Sequence, residues 1–490
     1  MADHAQPAWA RFARPDRDVN HVLAYGQSLA VGYEGWPALS LAQPYDSLML
    51  GDSVRSLREA TPHWRPTGEA GLRPLRATVQ DLASGALLTA EQVMALPRGA
   101  GALGETVLEG ALNGWRARQL AGGAVAGRRR LLASACGVGG RTLEALSKGA
   151  APDLFNRLRE CVDVARMTAV ADGLSYGVVA LLFLQGEHNN WGLNGGTAAA
   201  AAYKALLRRF HDDAVADLAV AIARQPEPPA IFLYQTGGAY ASETQSVPQA
   251  QLECALEMPG CFMVAPSYPV TEKGGHLDAN GYRWLGAQFG KVLHRVLTLN
   301  EAWRPLHPVR AERAGREVRV AFHVPVPPLR WGRPIVGRRF VDPADRGFTV
   351  LDAAGPIPIV DVRLDAPDAV RITLGRDPHG TATLRYADKG HAGRGALHDS
   401  DAEIAPDCYV YDPATGHDPK ADIPELAGRP YPLMNWCVAF AIPLAPAAPL
   451  PRPQSRVWEI LRETAAPLPA SPQAPGWLAT LRHTLGLPRE

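Results

Sequence analysis

The sequence predicts a three-layer α/β/α architecture, a doubly wound parallel sheet with helices on both faces, followed by an all-β sandwich. Three observations predict it. Apolar strand-like runs alternate with stretches of helical spacing from Val19 to Leu297. Polar, glycine-containing turns fall just after those runs, which is where such sheets carry their sites. Near Asn300 the composition changes to short runs of partial alternation, cut by Gly, Pro and Asp. These observations divide the chain into a polar lead-in (1–18), an α/β domain (19–300), a β-sandwich (301–445) and a Pro/Ala-rich linker with a short C-terminal helix (446–490).

His21-Val22-Leu23-Ala24-Tyr25 reads as the first buried strand, and Gly26-Gln27-Ser28 follows it at once. Tyr45–Leu50 is a second strand candidate, ending in Gly51-Asp52-Ser53. From Ser56 to Leu103 the chain is rich in Pro, Gly and Arg and reads as long loops of the kind that build clefts. Val107–Leu120 has helical spacing. Arg130–Ala135 is a strand ending in Cys136-Gly137-Val138-Gly139-Gly140-Arg141-Thr142, and Asp153–Val170 is a helix started by Pro152-Asp153. Tyr176–Leu184 is almost wholly apolar, as a central parallel strand should be. It ends in Gln185-Gly186-Glu187-His188-Asn189-Asn190. Then come a long helix at Thr197–Arg224, a strand at Ala230–Gln235, a helix at Pro248–Glu257, a strand at Phe262–Ala265 and an amphipathic helix at His276–Leu297.

Beyond Asn300 the strand candidates are Arg316–Val326, Arg338–Leu351, Ile357–Leu364, Val370–Leu374, Thr381–Tyr386 and Met434–Ile442. Asn435-Trp436 and the loop Gly390–Asp399 are the most site-like features of this part. Gly476–Leu487, carrying Trp477, reads as a short amphipathic helix.

A chain of 490 residues is too long for one simple core. A net charge of +1 gives no reason to expect a nucleic acid or an anionic membrane as partner. No apolar run approaches the roughly 20 residues that span a bilayer. The N-terminal stretch has no apolar core of a Sec signal peptide, so cytoplasmic residence is the expectation, with export by another route left open. Six cysteines lie scattered without a CxxC pair, which favours buried free thiols over a disulfide framework or a zinc site.

Acyl transfer by serine needs a hydroxyl, a base, donors for the oxyanion and a group that orients the base. Ser28, lifted from the sheet edge by the turn after the first strand, supplies the hydroxyl; read alone, it is more simply a helix N-cap, and the later motifs change that. His276, in Gly274-Gly275-His276-Leu277-Asp278, is the best base, with His188 its one competitor in this half of the chain. The Ser28 N–H, a glycine N–H of Gly139-Gly140 and the Gln185 side-chain amide are the candidate oxyanion donors, each following a separate strand.

The order GQS, GGRT, QGE, GGHL resembles the SGNH hydrolase superfamily, and within it the carbohydrate esterase and sialate O-acetylesterase-like branch. The resemblance covers roughly Val19 to Leu297 and implies a flavodoxin-like sheet. It implies Ser28 as nucleophile, Gly139, Gly140 and Gln185 as oxyanion donors and His276 as general base. It also ranks Ser28 above Ser53, although Gly51-Asp52-Ser53 spells the start of a GDSL motif. One departure matters. The family's aspartate lies three residues before the histidine, where this chain has Lys273, which cannot accept a bond from an imidazole N–H. Glu272 is then the expected orienting carboxylate. The alternatives are a backbone carbonyl, which leaves a Ser–His dyad, and, more weakly, Asp278. Gln27, Glu187 and Asn189 are expected to support the site, with Asn189, Asn190 and Trp191 along the cleft and Trp191 as a platform for a sugar ring.

The expected activity is a serine esterase that needs no metal or organic cofactor and acts on a small-molecule or glycan ester. A carbohydrate O-acetylesterase leads. A lipase, thioesterase or polyester-directed hydrolase is the alternative within enzymes. A non-catalytic glycan-binding or phage-tail-like module is the alternative of another class, favoured by Lys273 and by the extra β-domain. Nothing in the sequence sets the oligomeric state.

Overall fold

In the computed structural model the first strand, β1 (Val19–Gly26), is buried along its whole length. Its side chains alternate between two cores. Val22 and Ala24 join one apolar cluster, while Val19, Leu23 and Tyr25 join the other, on the opposite face of the sheet. The residues described are 12–97, 99–334, 342–411 and 423–446. The expected helix Gly476–Leu487 lies outside them.

Around β1 runs a seven-stranded sheet. Its other strands are β2 (Leu48–Leu50), β3 (Leu72–Pro74), β4 (Arg130–Ala135), β5 (Tyr176–Leu184), β6 (Ala230–Gln235) and β7 (Cys261–Pro266), in the order β3-β2-β4-β1-β5-β6-β7. All neighbours pair in parallel except β3, which runs antiparallel to β2 at the edge. The chain leaves β1 for one side of the sheet and later crosses to β5 on the other. The carboxyl end of β1 is therefore a switch point, where a crevice opens in sheets of this kind.

Helices α1 (Val107–Ala121) and α5 (Ala279–Leu293) cover one face; α2 (Asn156–Ala171), α3 (Ala200–Ala214) and α4 (Ser246–Glu257) cover the other. The sequence sets these elements locally. Thr106 and Glu109 form a reciprocal capping box at the start of α1, a device of about 1 kcal/mol. The α1–α5 contact depends on small residues: a Cβ on Gly110 would lie 2.3 Å from the Arg283 carbonyl, and one on Gly286 2.4 Å from that of Val107. The long helix expected over Thr197–Arg224 is α-helical only to Ala214 and continues in wider π turns to Ala223. The last helix of this part starts at Ala279, with Asp278 as its N-cap, so His276 stands on the preceding loop rather than in the helix.

The C-terminal part is β-rich. Eight strands form one sheet in the order Gly355–Ile357, Phe348–Asp352, Ala382–Tyr386, Phe440–Pro446, His307–Ala314, Glu317–His323, Ala369–Leu374, Ile359–Ala366. Its two halves share one core, with Val318, Val320 and Ile372 on one side and Phe348, Leu384 and Phe440 on the other. The strand His307–Ala314 lies outside the expected strands, because only His307 in it is buried and its sequence, HPVRAERA, lacks an apolar alternation. Asn435 and Trp436, the site-like pair of this part, are buried: Asn435 bonds Asp399 and Lys291, and Trp436 packs on Tyr268 and His398. The β-rich part and the α/β part lie within one compact unit, Met1–Ala445. Gln235 at the end of β6 exchanges hydrogen bonds of 2.7 and 2.8 Å with the Ala439 backbone. Five of the six thiols are buried and all are free. Among the described residues no helix is long and apolar enough to cross a membrane, and no group of His, Cys, Asp and Glu could hold a metal ion.

Candidate active site

The site is built where β1 ends. Gly26 has φ +142°, and a Cβ there would lie 2.0 Å from the Leu184 carbonyl, so only glycine lets the chain pass over the end of β5. Ser28 then opens a single 3₁₀ turn. The segment folds back at once, with the Tyr33 N–H donating to the Ser28 carbonyl at 3.2 Å. Glu34 adopts φ +62° in that turn.

The other half comes from the loop after β7. Glu272 and Leu277 pair as an antiparallel bridge, and the Lys273 N–H donates to the His276 carbonyl at 2.7 Å. This small hairpin carries Gly274 and Gly275 at its tip and aims His276 inward. Its Nε2 lies 2.9 Å from the Ser28 hydroxyl oxygen. Two side chains from opposite ends of the α/β part, |i−j| = 248, thus meet at one rim of the sheet.

The carboxylate facing the far nitrogen of that imidazole is Glu34, not Glu272. Glu34 Oε2 is 3.4 Å from His276 Nδ1. Glu272 is turned to Arg394, whose guanidinium donates to Oε1 at 2.5 Å, and both side chains are about nine-tenths buried. A buried arginine outcompetes a neutral imidazole for a carboxylate, which is the physical reason for the difference. Asp278 is occupied as the cap of α5, accepting from Gly281 at 2.7 Å. Lys273, where the motif resemblance led to an aspartate being expected, donates to the Trp36 carbonyl at 2.7 Å and lies 4.5 Å above the Trp36 ring. It ties the histidine loop to the turn that carries Glu34.

Of the expected oxyanion donors, Gly139 and Gly140 line the same cleft as Ser28. A Cβ on Gly139 would come within 3.9 Å of the Ser28 Cβ. The Gly139 N–H donates to the carboxylate of Glu59, a residue not singled out in the sequence. Burial pushes the Glu59 carboxyl up, opposed by that N–H and by Arg157, Arg55 and Arg141. Gln185 is a correction. It is fully buried, its amide nitrogen donates to Asn189 Oδ1 at 2.6 Å, and its oxygen accepts from the Tyr203 hydroxyl at 2.8 Å. Its side chain lies beneath the floor of the cleft rather than in it.

Asn189 is likewise below the surface. It bonds the Leu143 N–H, Gln185, Glu144 and the Thr197 carbonyl, so it fixes loops and does not line the cleft. Glu187 is buried and accepts from Tyr234 and Thr236, joining the ends of β5 and β6; burial pushes its carboxyl up. Gln27 bonds His188. Asn190 fastens the Tyr240 turn, donating to the Tyr240 carbonyl at 2.8 Å. Trp191 is 49% exposed and packs against Tyr240, with ring centroids 5.2 Å apart. The rival Ser53 is fully buried and bonded to Thr78, so no substrate reaches it.

These residues open on a cleft of about 410 Å³, lined by Ser28, His276, Tyr33, Tyr240, Val138 and Leu82 among others. Tyr33 and Tyr240 flank the imidazole, at centroid distances of 4.6 and 6.2 Å. Burial, with the charges of Glu187 and Glu34, pushes the Tyr240 hydroxyl up to about 12, so it is a neutral wall at physiological pH. Glu34, Tyr33, Glu59 and Tyr240 were all missed from the sequence. For Tyr33 and Glu34 a signal existed: they sit in a Gly32–Gly35 turn right behind the nucleophile. Glu59 falls in the Ser56–Leu103 stretch read as cleft-building loops, with nothing there to single it out; for Tyr240 there was no signal.

No family model matches the chain, and no curated protein sequence does. Solved structures to which the chain is similar include carbohydrate acetylesterases and an aryl esterase. A carbohydrate acetylesterase from Xanthomonas citri is 16% identical, with 77% of each chain covered and a TM-score of 0.48. A carbohydrate acetylesterase family member from Sinorhizobium meliloti is 16% identical, covering 57% of this chain and 98% of its own, with a TM-score of 0.28. The M. smegmatis aryl esterase is 10% identical, covering 57% of this chain and 99% of its own, with a TM-score of 0.28.

Proposed function

We propose that this chain is a serine esterase working through an acyl-enzyme, and that its substrates are O-acylated carbohydrates, acetyl esters first among them. The observation that carries the reading is the 2.9 Å contact between Ser28 Oγ and His276 Nε2, with the Glu34 carboxylate behind Nδ1. His276 takes the Ser28 proton through Nε2 as the hydroxyl oxygen attacks the ester carbonyl. Glu34 keeps the other ring proton on Nδ1 and stabilises the imidazolium. The tetrahedral intermediate collapses, His276 returns its proton to the leaving alcohol, and a water activated by the same nitrogen releases the acid. The carbonyl oxygen takes over the Gly139 N–H from Glu59 as it becomes an oxyanion.

The largely apolar cleft beside Ser28 suits the acyl part of an ester. The half-exposed Trp191 on Tyr240 offers a flat aromatic face of the kind on which sugar rings stack. The acetyl preference comes from the motif resemblance. Turnover of p-nitrophenyl acetate and of acetylated xylan or sialate by the wild type, abolished in Ser28→Ala and His276→Ala, is the expected result. Equal inertness of wild type and Ser28→Ala refutes the reading. One observation favours a second reading, a glycan-binding module without turnover: Glu59 fills a donor that turnover needs. Retained glycan binding by an inert wild type would support that one.

A further inference from the structure

Correcting Gln185 leaves the site without a side-chain donor for the oxyanion, and the hydrogen bonding of Gln27 supplies one. The Gln27 oxygen can be told from its nitrogen. One end of this buried amide receives the His188 N–H at 3.3 Å, the Gly186 N–H at 3.5 Å and the Gln185 amide nitrogen at 3.5 Å. Three donors converge there, so that end is the carbonyl oxygen. The other end is therefore the NH₂ group, and it lies 3.3 Å from Nδ1 of His188. A ring nitrogen facing an NH₂ must accept. A neutral imidazole whose Nδ1 accepts carries its proton on Nε2.

That Nε2 faces the cleft. His188 lines it together with Ser28 and His276, and its Nε2 is 3.7 Å from the point where a Cβ on Gly140 would sit. The ring stands on the four-residue helix Glu187–Asn190 at the end of β5, whose neighbours Glu187, Asn189 and Asn190 are each fixed by the bonds described above. It does not compete for the role of base: the Ser28 hydroxyl is already paired with His276, and the proton on Nε2 leaves His188 nothing with which to accept. Burial and the nearby His276 and Arg141 push its pKa down, which keeps the ring neutral at physiological pH.

We propose that His188 is a further catalytic residue of this site, a neutral imidazole that donates its Nε2–H to the oxyanion formed when Ser28 attacks the ester. The proposal rests on the esterase reading and adds to it a donor on the Gly139–Gly140 side of the nucleophile. No proton leaves His188; it holds the same hydrogen throughout the cycle. Gln27 is its positioning residue, fixing which nitrogen is bare.

The full chain tests this in two ways. Steady-state kinetics on p-nitrophenyl acetate should show kcat about 100-fold lower in His188→Phe with KM within about threefold, the pattern of a contact made only in the transition state. His188→Gln, whose amide nitrogen reaches the place of Nε2, should recover at least about tenfold of that loss; it also serves if the phenylalanine variant does not fold. Imidazole ¹⁵N NMR of the wild type at neutral pH should show His188 protonated on Nε2 and bare on Nδ1, a signature that a merely structural histidine need not share. A proton on Nδ1, a kcat unchanged in His188→Phe, a rise in KM alone, or a glutamine variant as poor as phenylalanine overturns the proposal. If Ser28→Ala abolishes turnover while His188→Phe leaves it intact, the esterase reading stands and only the His188 role falls. A wild type that turns over no ester overturns both.

Discussion

The carboxylate of Glu34 stands 3.4 Å from Nδ1 of His276, on the turn that follows Ser28 and not on the loop that carries the histidine. One short segment, Gly26 to Gly35, therefore supplies both ends of the Ser–His–Glu line, and the hairpin Glu272–Leu277 inserts only the middle member. Glu34→Gln keeps the shape and removes the charge that stabilises the imidazolium. The pair is about one-fifth exposed on each side, so water takes up part of the lost charge. The expected fall in kcat is about 10- to 1,000-fold, below the ~10⁴ seen when a buried triad carboxylate is neutralised. Hydrolysis of p-nitrophenyl acetate measures it. A kcat unchanged in Glu34→Gln would mean that the imidazole needs no carboxylate.

Glu272 has a different job, and its variant separates the two. It pairs with Arg394 across 122 positions, joining the histidine loop to the β-rich part. Removing one partner of a buried ion pair leaves an uncompensated charge and costs about 3–5 kcal/mol. Glu272→Gln is expected to lower the unfolding free energy from urea titration by that order, with a lower midpoint, while kcat of the folded protein stays within about threefold. The double variant Glu272→Leu/Arg394→Met should be less destabilised than either single one, because no charge is left stranded. A triple-digit loss of kcat in Glu272→Gln would return this residue to the catalytic line.

Glu59 sets a third expectation, for pH. Its carboxylate accepts from the Gly139 N–H, which in the proposed mechanism passes to the substrate carbonyl. The charged form accepts more strongly than the neutral acid by about 1 kcal/mol, or roughly fivefold in occupancy. Burial raises the Glu59 pKa, so the neutral form persists to higher pH than for an ordinary glutamate, and the charged form dominates above its shifted pKa. Glu59→Gln should therefore raise kcat/KM on a small ester by about fivefold at alkaline pH. The gain should disappear as pH falls through the wild-type Glu59 pKa. A gain that is flat across pH, or a loss, would show that the contact does not restrain the oxyanion donor.

The parts of the site that were legible in the sequence are those fixed by backbone and order. Ser28 and His276 follow β1 and β7, and strands of a parallel sheet end at a common rim, so their meeting could be read from the alternation of strands and helices. What was not legible depends on which of several partners a side chain takes. Glu272 lies next to the expected position, yet a distant arginine claims it. Gln185 stands at the end of β5, yet Tyr203 and Asn189 fix its amide below the cleft. Glu34 belongs to the opening motif, but only a left-handed turn brings its carboxylate back to the imidazole. The fold shows the same split. Buried strands such as β5 were read nearly to the residue, whereas the strand His307–Ala314, buried only at His307, carries too few apolar residues to register.

The β-rich part contributes its own pH dependence, and it reaches the cleft. His391 lies between two carboxylates, with Nδ1 2.8 Å from Asp388 and Nε2 3.0 Å from Asp345. Burial alone would lower its pKa; the hydrogen bonds and charges of Asp345 and Asp388 overcome burial and lift it to about 9. The unfolded value is about 6.5. A folded-state pKa above the unfolded one means stability fully present below pH 6.5 and lost as pH rises through about 9, of the order of 3 kcal/mol. Chemical denaturation of wild type against His391→Gln should show the wild-type advantage at pH 6 and its disappearance by about pH 10. The turn that carries His391 continues to Gly393, whose carbonyl accepts from the Gly238 N–H at 3.2 Å, and to Arg394, the partner of Glu272. Gly238 begins the 3₁₀ turn that presents Tyr240 to the cleft. Loss of the His391 charge is therefore expected to loosen the Tyr240 wall of the cleft: KM should rise above pH 9 in the wild type but be pH-independent there, and already high, in His391→Gln.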